Sequence, residues 1–196
     1  MMRPQLVLDI GGVLATNLSP LFWRLLAAEA NISEEALYSE YKRQISEHLW
    51  TGSISEEQFW EWIKKYTPLL NTETARTFID RSLQPLPALA KIAEWHAVAD
   101  IHLLSNHLPA WVDPIVKPIR PFLKSVTISS EAAIKKPHPE IYARASAFIP
   151  SGSDVLFVDD HDKNLKQAAS FGWRTLLADE DGQWISCVLP LLKQES

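Results

Sequence analysis

The chain has 196 residues, 46% of them hydrophobic and 22% charged, proportions of an ordinary globular protein that exclude disorder throughout. Its net charge is −5, from 19 Lys+Arg against 24 Asp+Glu, so no basic nucleic-acid grip is expected. Its one cysteine, Cys187, excludes an intramolecular disulfide and a cysteine-rich zinc centre.

The length fits one domain, or one core with a modest insertion. No apolar run approaches the ~18 residues of a membrane span. Asp9 interrupts the start before a signal-peptide apolar region can form. A soluble, cytoplasmic protein is expected, with neither a membrane nor a nucleic acid as partner; its oligomeric state is left open.

The first element is a strand, Leu6-Val7-Leu8, which runs into Asp9. Helical spacing then predicts four helices at 20–30, 34–49, 56–66 and 72–83, with no strand among them. The third is opened by Ser55 and Gln58, a capping-box pattern. A helix over 86–97 leads to the strand Ile101–Leu104, which runs into Ser105-Asn106. A third strand, Val126–Ile128, runs into Ser129-Ser130. A helix over 138–149, with Ile141, Ala145 and Phe148 on its apolar stripe, precedes the strand Val155–Val158, which runs into Asp159-Asp160. A helix over 162–171 is capped by Gly172 and followed by the strand Arg174–Leu177. Cys187 is expected to be a buried helix residue without a role.

Short apolar runs without polar alternation suit strands buried on both faces. Strands alternating with helices imply an α/β fold, a parallel sheet flanked by helices. A small all-helical unit at 16–84 interrupts the core of 1–15 and 85–196. That unit carries seven Lys+Arg against ten Asp+Glu, and four of the eight tryptophans. These four are expected to fill its core, the alternative being that Trp50 or Trp60 faces a ligand.

In parallel sheets, ligands bind outside the carboxyl ends of the strands, where Asp9, Ser105 and Asp159-Asp160 fall. Gly11-Gly12 lets the backbone approach a ligand and offers N–H groups to an anion. The adjacent carboxylates Asp159 and Asp160 repel each other and want a cation. A hard, oxygen-liking Mg²⁺ fits them. Lys136 can neutralise a phosphate as a point charge. Ser105 offers a hydroxyl, and Asn106 a backbone N–H. Carboxylate, hydroxyl, lysine and acidic pair are the parts of a phosphoryl-transfer site.

In these four motifs the chain resembles the haloacid dehalogenase (HAD) superfamily, in the branch with a helical cap after the first strand. The resemblance covers nearly the whole chain and implies a Rossmann-like core. It implies that Asp9 is the nucleophile, that Ser105 and Lys136 bind the phosphoryl group, and that Mg²⁺ is held by Asp9, the Gly11 carbonyl and Asp160, with Asp159 acting through water. The implied reaction is Mg²⁺-dependent hydrolysis of a small phosphorylated metabolite, such as a sugar phosphate, through an aspartyl phosphate.

Gly11 stands where phosphatases of this superfamily usually carry an acid/base Asp. General acid–base help is worth about 10²–10⁴-fold, so its loss favours leaving groups that depart without a proton. His107 or His161 is the candidate replacement; the alternative is that both sit on solvent-facing loop tips. His138 is expected to be structural. Ala133, where related third motifs often have Gly, is read as local loop geometry. The acidic pair argues against dehalogenation, and the missing acid against phosphomutase chemistry. The alternative from another class is a non-catalytic protein that binds a phosphorylated ligand, supported by Gly11 alone.

Overall fold

The computed structural model describes residues 2–194. Five strands, β1 (Gln5–Leu8), β2 (Asp100–Ser105), β3 (Leu123–Ile128), β4 (Val155–Asp159) and β5 (Arg174–Leu177), form one sheet in the order β3-β2-β1-β4-β5. Every neighbouring pair is parallel. All five expected strands are present. Burial on both faces holds for β1, β2 and β4 in the middle of the sheet. It fails at the edges, where β3 is only partly buried and exposure alternates along β5.

The pleat divides the apolar residues between two layers. Leu6, Leu8, Leu103 and Val158 face Ile92, Trp95, Val112 and Val188 on one side. Val7, Leu104 and Phe157 face Ile141, Tyr142, Leu165 and Trp173 on the other. β1 lies at the centre, and the chain pairs it first with β2 and later with β4. The crevice at their carboxyl ends is the switch point of the sheet.

Helices α1 (Leu21–Ala30), α2 (Glu34–Gln44), α3 (Ser46–Trp50), α4 (Glu56–Tyr66) and α5 (Thr72–Ser82) lie between β1 and β2. They share a separate apolar cluster around Phe22, Leu26, Phe59, Ile63 and Phe78. Leu108 and Trp111, from beyond β2, belong to the same cluster. Helix α4 carries the expected capping box between Ser55 and Gln58. The helix expected over 34–49 is two helices, broken where Ile45 takes φ −122°. The break re-aims α3, burying Leu49 while Trp50 stays half-buried.

Around the sheet, a 3₁₀ turn over Pro87–Lys91 leads into α6 (Ile92–His96), followed by α7 (Pro109–Val116), α8 (Ser129–Ala132), α9 (Pro139–Ser146), α10 (Asp162–Ala169) and α11 (Trp184–Lys193). Gly172, at φ +78°, closes the turn after α10 as expected. Helix α9 stops at Ser146, so Phe148 falls beyond it and is exposed rather than on a buried stripe. Cys187 does lie in a helix, α11, but it is exposed, because Trp184, Val188 and Leu192 form that helix's buried face. No helix among the described residues is long and apolar enough to cross a membrane.

Candidate active site

Three strand ends deliver the site. Where β1 ends, the Ile10 carbonyl accepts the N–H groups of Val13, Leu14 and Ala15 at 3.2, 2.8 and 2.9 Å, folding the loop tightly back on itself. Asp9, 8% exposed, is held at the start of that loop. Its Oδ1 accepts the Ile10 N–H at 2.7 Å and its Oδ2 faces Lys136 Nζ at 2.9 Å. Ser105, at the end of β2, is buried nearby and helps hold the Asp9 carboxyl down.

Lys136 is buried although it carries a charge. Its ammonium bridges Asp9 and Asp159, at 2.9 and 2.6 Å. Its backbone is clamped by the Asn106 side chain, whose Oδ1 accepts the Lys136 N–H at 2.8 Å while Nδ2 donates to the Lys136 carbonyl at 3.0 Å. Asn106, expected to offer a backbone N–H to an anion, thus also positions the lysine through its side chain. Upstream, Ala133 takes φ 54°, a left-handed geometry that glycine adopts more easily.

Asp159, at the end of β4, is fully buried. Its Oδ1 accepts the His161 N–H at 2.8 Å and Asn164 Nδ2 at 2.9 Å; its Oδ2 accepts Lys136 at 2.6 Å and Asn164 Nδ2 at 3.0 Å. These contacts use the roughly four lone-pair sites of a carboxylate. Burial pushes the Asp9 carboxyl up, Lys136 pulls it down and Asp159 pushes it up again, leaving it at about 7. Burial alone would lower the Lys136 ammonium, but Asp9 and Asp159 raise it above its ordinary value.

Asp160 faces the crevice. Asn17 Nδ2 donates to its Oδ2 at 2.8 Å and His161 Nδ1 lies 2.6 Å from its Oδ1. Gly12, at φ +70°, lies so close to Asp160 that a β-carbon there would overlap the carboxylate. Its N–H donates to the Ala15 carbonyl at 2.8 Å. Gly12 therefore provides room rather than the anion donor expected of it. At Gly11, a β-carbon would stand 2.7 Å from Asn17 Oδ1, so the Asn17 amide fills the space a side chain at position 11 would need.

Asn17 was not foreseen. It reaches Asp160 across 143 residues, and no spacing pattern marks such a contact. Asn164, on α10, carries no comparable sequence signal, although its side chain bonds Asp159.

The two candidate histidines differ. His161 is exposed, as a loop-tip residue would be. His107 is 5% exposed because Trp50 of α3 covers it at 5.4 Å between ring centroids. Burial and the charge of Lys136 push its imidazole down to about 4, so it is neutral at pH 7 and lacks the imidazolium proton a general acid would give. His138 caps α9, its side chain accepting the Glu140 N–H at 3.4 Å. Trp60 is buried between Phe22, Phe59 and Trp111, which makes it a core residue. The α3 region also meets the core through Lys135 and Glu47, 2.5 Å apart, and through Gly52 packed on the Ser130 backbone.

A family model described as haloacid dehalogenase-like hydrolase matches residues 6–172. The chain belongs to the haloacid dehalogenase-like hydrolases. The solved structure of a HAD-like family hydrolase from Porphyromonas gingivalis is similar at TM-score 0.78, with 22% identity over 100% of both chains. A HAD family enzyme from Bacteroides thetaiotaomicron, in complex with magnesium and inorganic phosphate, is similar at TM-score 0.77, with 19% identity over 93% of this chain and 98% of that one. An L-2-haloacid dehalogenase from Xanthobacter autotrophicus is more distant, at TM-score 0.61 and 18% identity over 89% of this chain and 76% of that one. At these identities the likenesses establish the shared fold. A search of curated proteins gives no match. As in other HAD-like hydrolases of known structure, the sheet is parallel and helices flank it.

Proposed function

We propose that this HAD-like hydrolase is a Mg²⁺-dependent phosphatase acting on a small phosphorylated metabolite through an aspartyl phosphate on Asp9. The observation that carries this reading is the buried Asp9–Lys136–Asp159 chain, with Ser105 and Asp160 beside it. A protein that only binds a phosphorylated ligand has no need of a buried carboxylate facing the lysine that would neutralise its target. The magnesium and phosphate complex of the Bacteroides relative supports the same reading.

The donors available to a metal are hard oxygens: Asp9, Asp160 and the Gly11 carbonyl. They suit Mg²⁺ in kind. Asp160 and His161 also share with Asp159 a group of ligand atoms within 4.8 Å of one another. We assign Asp159 to holding Lys136 rather than a metal-bound water, because its oxygens already accept four hydrogen bonds. When bound, Mg²⁺ would supply positive charge beside Asp9 and the transferring group.

The chain's own residues then divide the work. Ionised Asp9 attacks phosphorus in line, forming the Asp9–phosphorus bond as the ester P–O bond breaks. The Lys136 ammonium offsets charge on the transferring oxygens. The Ile10 N–H orients the Asp9 carboxylate, and the Ser105 hydroxyl is placed to bind a phosphoryl oxygen. Helices α1–α5 act as the cap, and α3 seats on the core through Trp50 and Glu47, excluding water from the buried site. Water finally cleaves the acyl phosphate. Neither Gly11 nor neutral His107 supplies a leaving-group proton, so phosphates with good leaving groups are the better substrates.

Hydrolysis of p-nitrophenyl phosphate tests this, because nitrophenolate leaves without a proton. Turnover with Mg²⁺ that is lost with EDTA and in Asp9→Asn is expected. Folded, Mg²⁺-replete protein without turnover would refute it in favour of the binding-only alternative.

A further inference from the structure

Of the two glycines that follow Asp9, only Gly12 takes a positive φ. The backbone at Gly11 lies outside the left-handed region, so it is not conformation that calls for glycine there. What a side chain at position 11 would displace is the Asn17 amide, whose Oδ1 and Cγ stand 2.7 and 3.8 Å from the place of the missing β-carbon. Positions 11 and 17 share one volume, two residues from Asp9, and Asn17 fills it.

The amide is anchored there. Its Nδ2 donates to Asp160 Oδ2 at 2.8 Å. On one side, Thr16 is tied to the segment returning from α5: its N–H donates to the Gln84 carbonyl and its Oγ1 accepts the Gln84 N–H, both at 2.8 Å. On the other, Leu18 is buried in the apolar cluster of α1–α5. Asn17 itself is exposed, so a fixed amide meets solvent beside Asp160.

That arrangement leaves one acceptor open. Among the described residues, the only side-chain hydrogen bond of Asn17 is the one Nδ2 donates, and an amide oxygen has two lone pairs. The neighbouring carboxylates are committed. Asp159 already accepts four bonds, and Asp160 is shared by Asn17 and His161. A leaving oxygen, itself an acceptor, gains nothing from Asn17 Oδ1. A water molecule does, because it donates.

We infer that Asn17 orients the water that cleaves the aspartyl phosphate: Oδ1 accepts one of its O–H groups beside Gly11, and the bond from Nδ2 to Asp160 sets the direction of the amide. The inference rests on the phosphatase reading and concerns its second half alone, since attack by Asp9 uses no water. The water oxygen bonds to phosphorus as the bond from phosphorus to Asp9 breaks, its electron pair returning to the Asp9 carboxylate. One water proton stays on the new P–OH and the other passes to a phosphoryl oxygen, so the dianionic acyl phosphate leaves as H₂PO₄⁻. Asn17 stays neutral throughout.

Rapid-quench kinetics with p-nitrophenyl phosphate at saturating Mg²⁺ separate the two halves. The first nitrophenolate per site reports formation of the phosphoenzyme, and loss of the acid-stable phosphoryl group reports its hydrolysis. Two variants displace the amide independently. Asn17→Ala removes it, and Gly11→Ala pushes it aside with residue 17 intact. In both, the first nitrophenolate is expected within about threefold of the wild-type rate. Decay of the phosphoenzyme is expected to slow at least tenfold, since misplacing a reacting group by about 1 Å costs on the order of 10²-fold. Phosphorylated Asp9 then accumulates.

An Asn17 that only braced Asp160 would behave differently: Asn17→Ala would weaken Mg²⁺ in calorimetry, slow both halves together and recover with excess Mg²⁺. That outcome, or unchanged decay in either variant, would overturn the inference and leave the phosphatase reading standing. A wild type that releases no nitrophenolate would overturn both.

Discussion

Replacing Lys136 by methionine removes one charge from the centre of the site and keeps most of its volume. The ammonium lies 2.9 Å from Asp9 and 2.6 Å from Asp159. At an effective dielectric of about 20, each contact is worth roughly 6 kcal/mol of gross attraction. Desolvating the three groups returns most of that, and breaking a buried pair costs about 3–5 kcal/mol net. In a chain of this size that is a fall of roughly 6–20 °C in unfolding midpoint.

The pH dependence of this loss distinguishes it from loose packing. Without Lys136, Asp9 and Asp159 face each other in a buried site, and Asp9 already stands at about 7 with the lysine present. Carboxyls whose folded pKa is raised contribute stability that is fully present below their unfolded value and lost as pH rises through the folded value. The gap between wild type and Lys136→Met should therefore be small near pH 4 and widest above pH 7. Urea denaturation across that range, without divalent metal, measures it. A gap independent of pH, or none at pH 8, would refute the reasoning.

Other consequences follow from the same geometry. Asn164→Leu removes both N–H contacts to the Asp159 carboxylate; bonds to a charged group are worth about 1.5–3 kcal/mol, so a loss of that order in denaturant titration is expected. Gly12→Ala combines left-handed strain of about 1–2 kcal/mol with overlap of the Asp160 carboxylate. It should weaken Mg²⁺ binding in calorimetry. Gly172→Ala, at a φ of +78° with nothing within 4 Å of the added carbon, should cost the strain alone and leave Mg²⁺ affinity unchanged. His107, lowered from 6.5 to about 4, binds a proton in the unfolded chain before it does in the folded one. Its contribution is present above pH 6.5 and lost as pH falls to 4, a total of about 3 kcal/mol at 1.36 kcal/mol per unit. His107→Phe should flatten that part of the stability profile.

The sheet is legible because its strands are apolar runs that stop at polar residues. Asp9, Ser105 and Asp159-Asp160 mark three of those stops, and their meeting in one crevice follows from the parallel topology. Lys136 is legible as a charge between a strand and a helix, but its burial is not. That depends on two carboxylates and on the Asn106 clamp, all distant in sequence. Asn17 is hidden for the same reason. Helix α7 is obscured by Pro114, since proline inside a helical pattern reads as a breaker. The burial of His107 depends on Trp50, and Trp50 is aimed by the break at Ile45, where helical spacing predicts an unbroken helix.

The proposal that Asp9 is the nucleophile is tested most directly by trapping the intermediate. Protein loaded with Mg²⁺ and p-nitrophenyl phosphate is quenched in acid, which preserves an acyl phosphate, and its peptides are mapped by mass spectrometry. One phosphoryl group on the peptide bearing Asp9, absent with EDTA and in Asp9→Asn, is the predicted result. Turnover that persists in Asp9→Asn, with no phosphoryl group on any Asp9 peptide of the wild type, would contradict it.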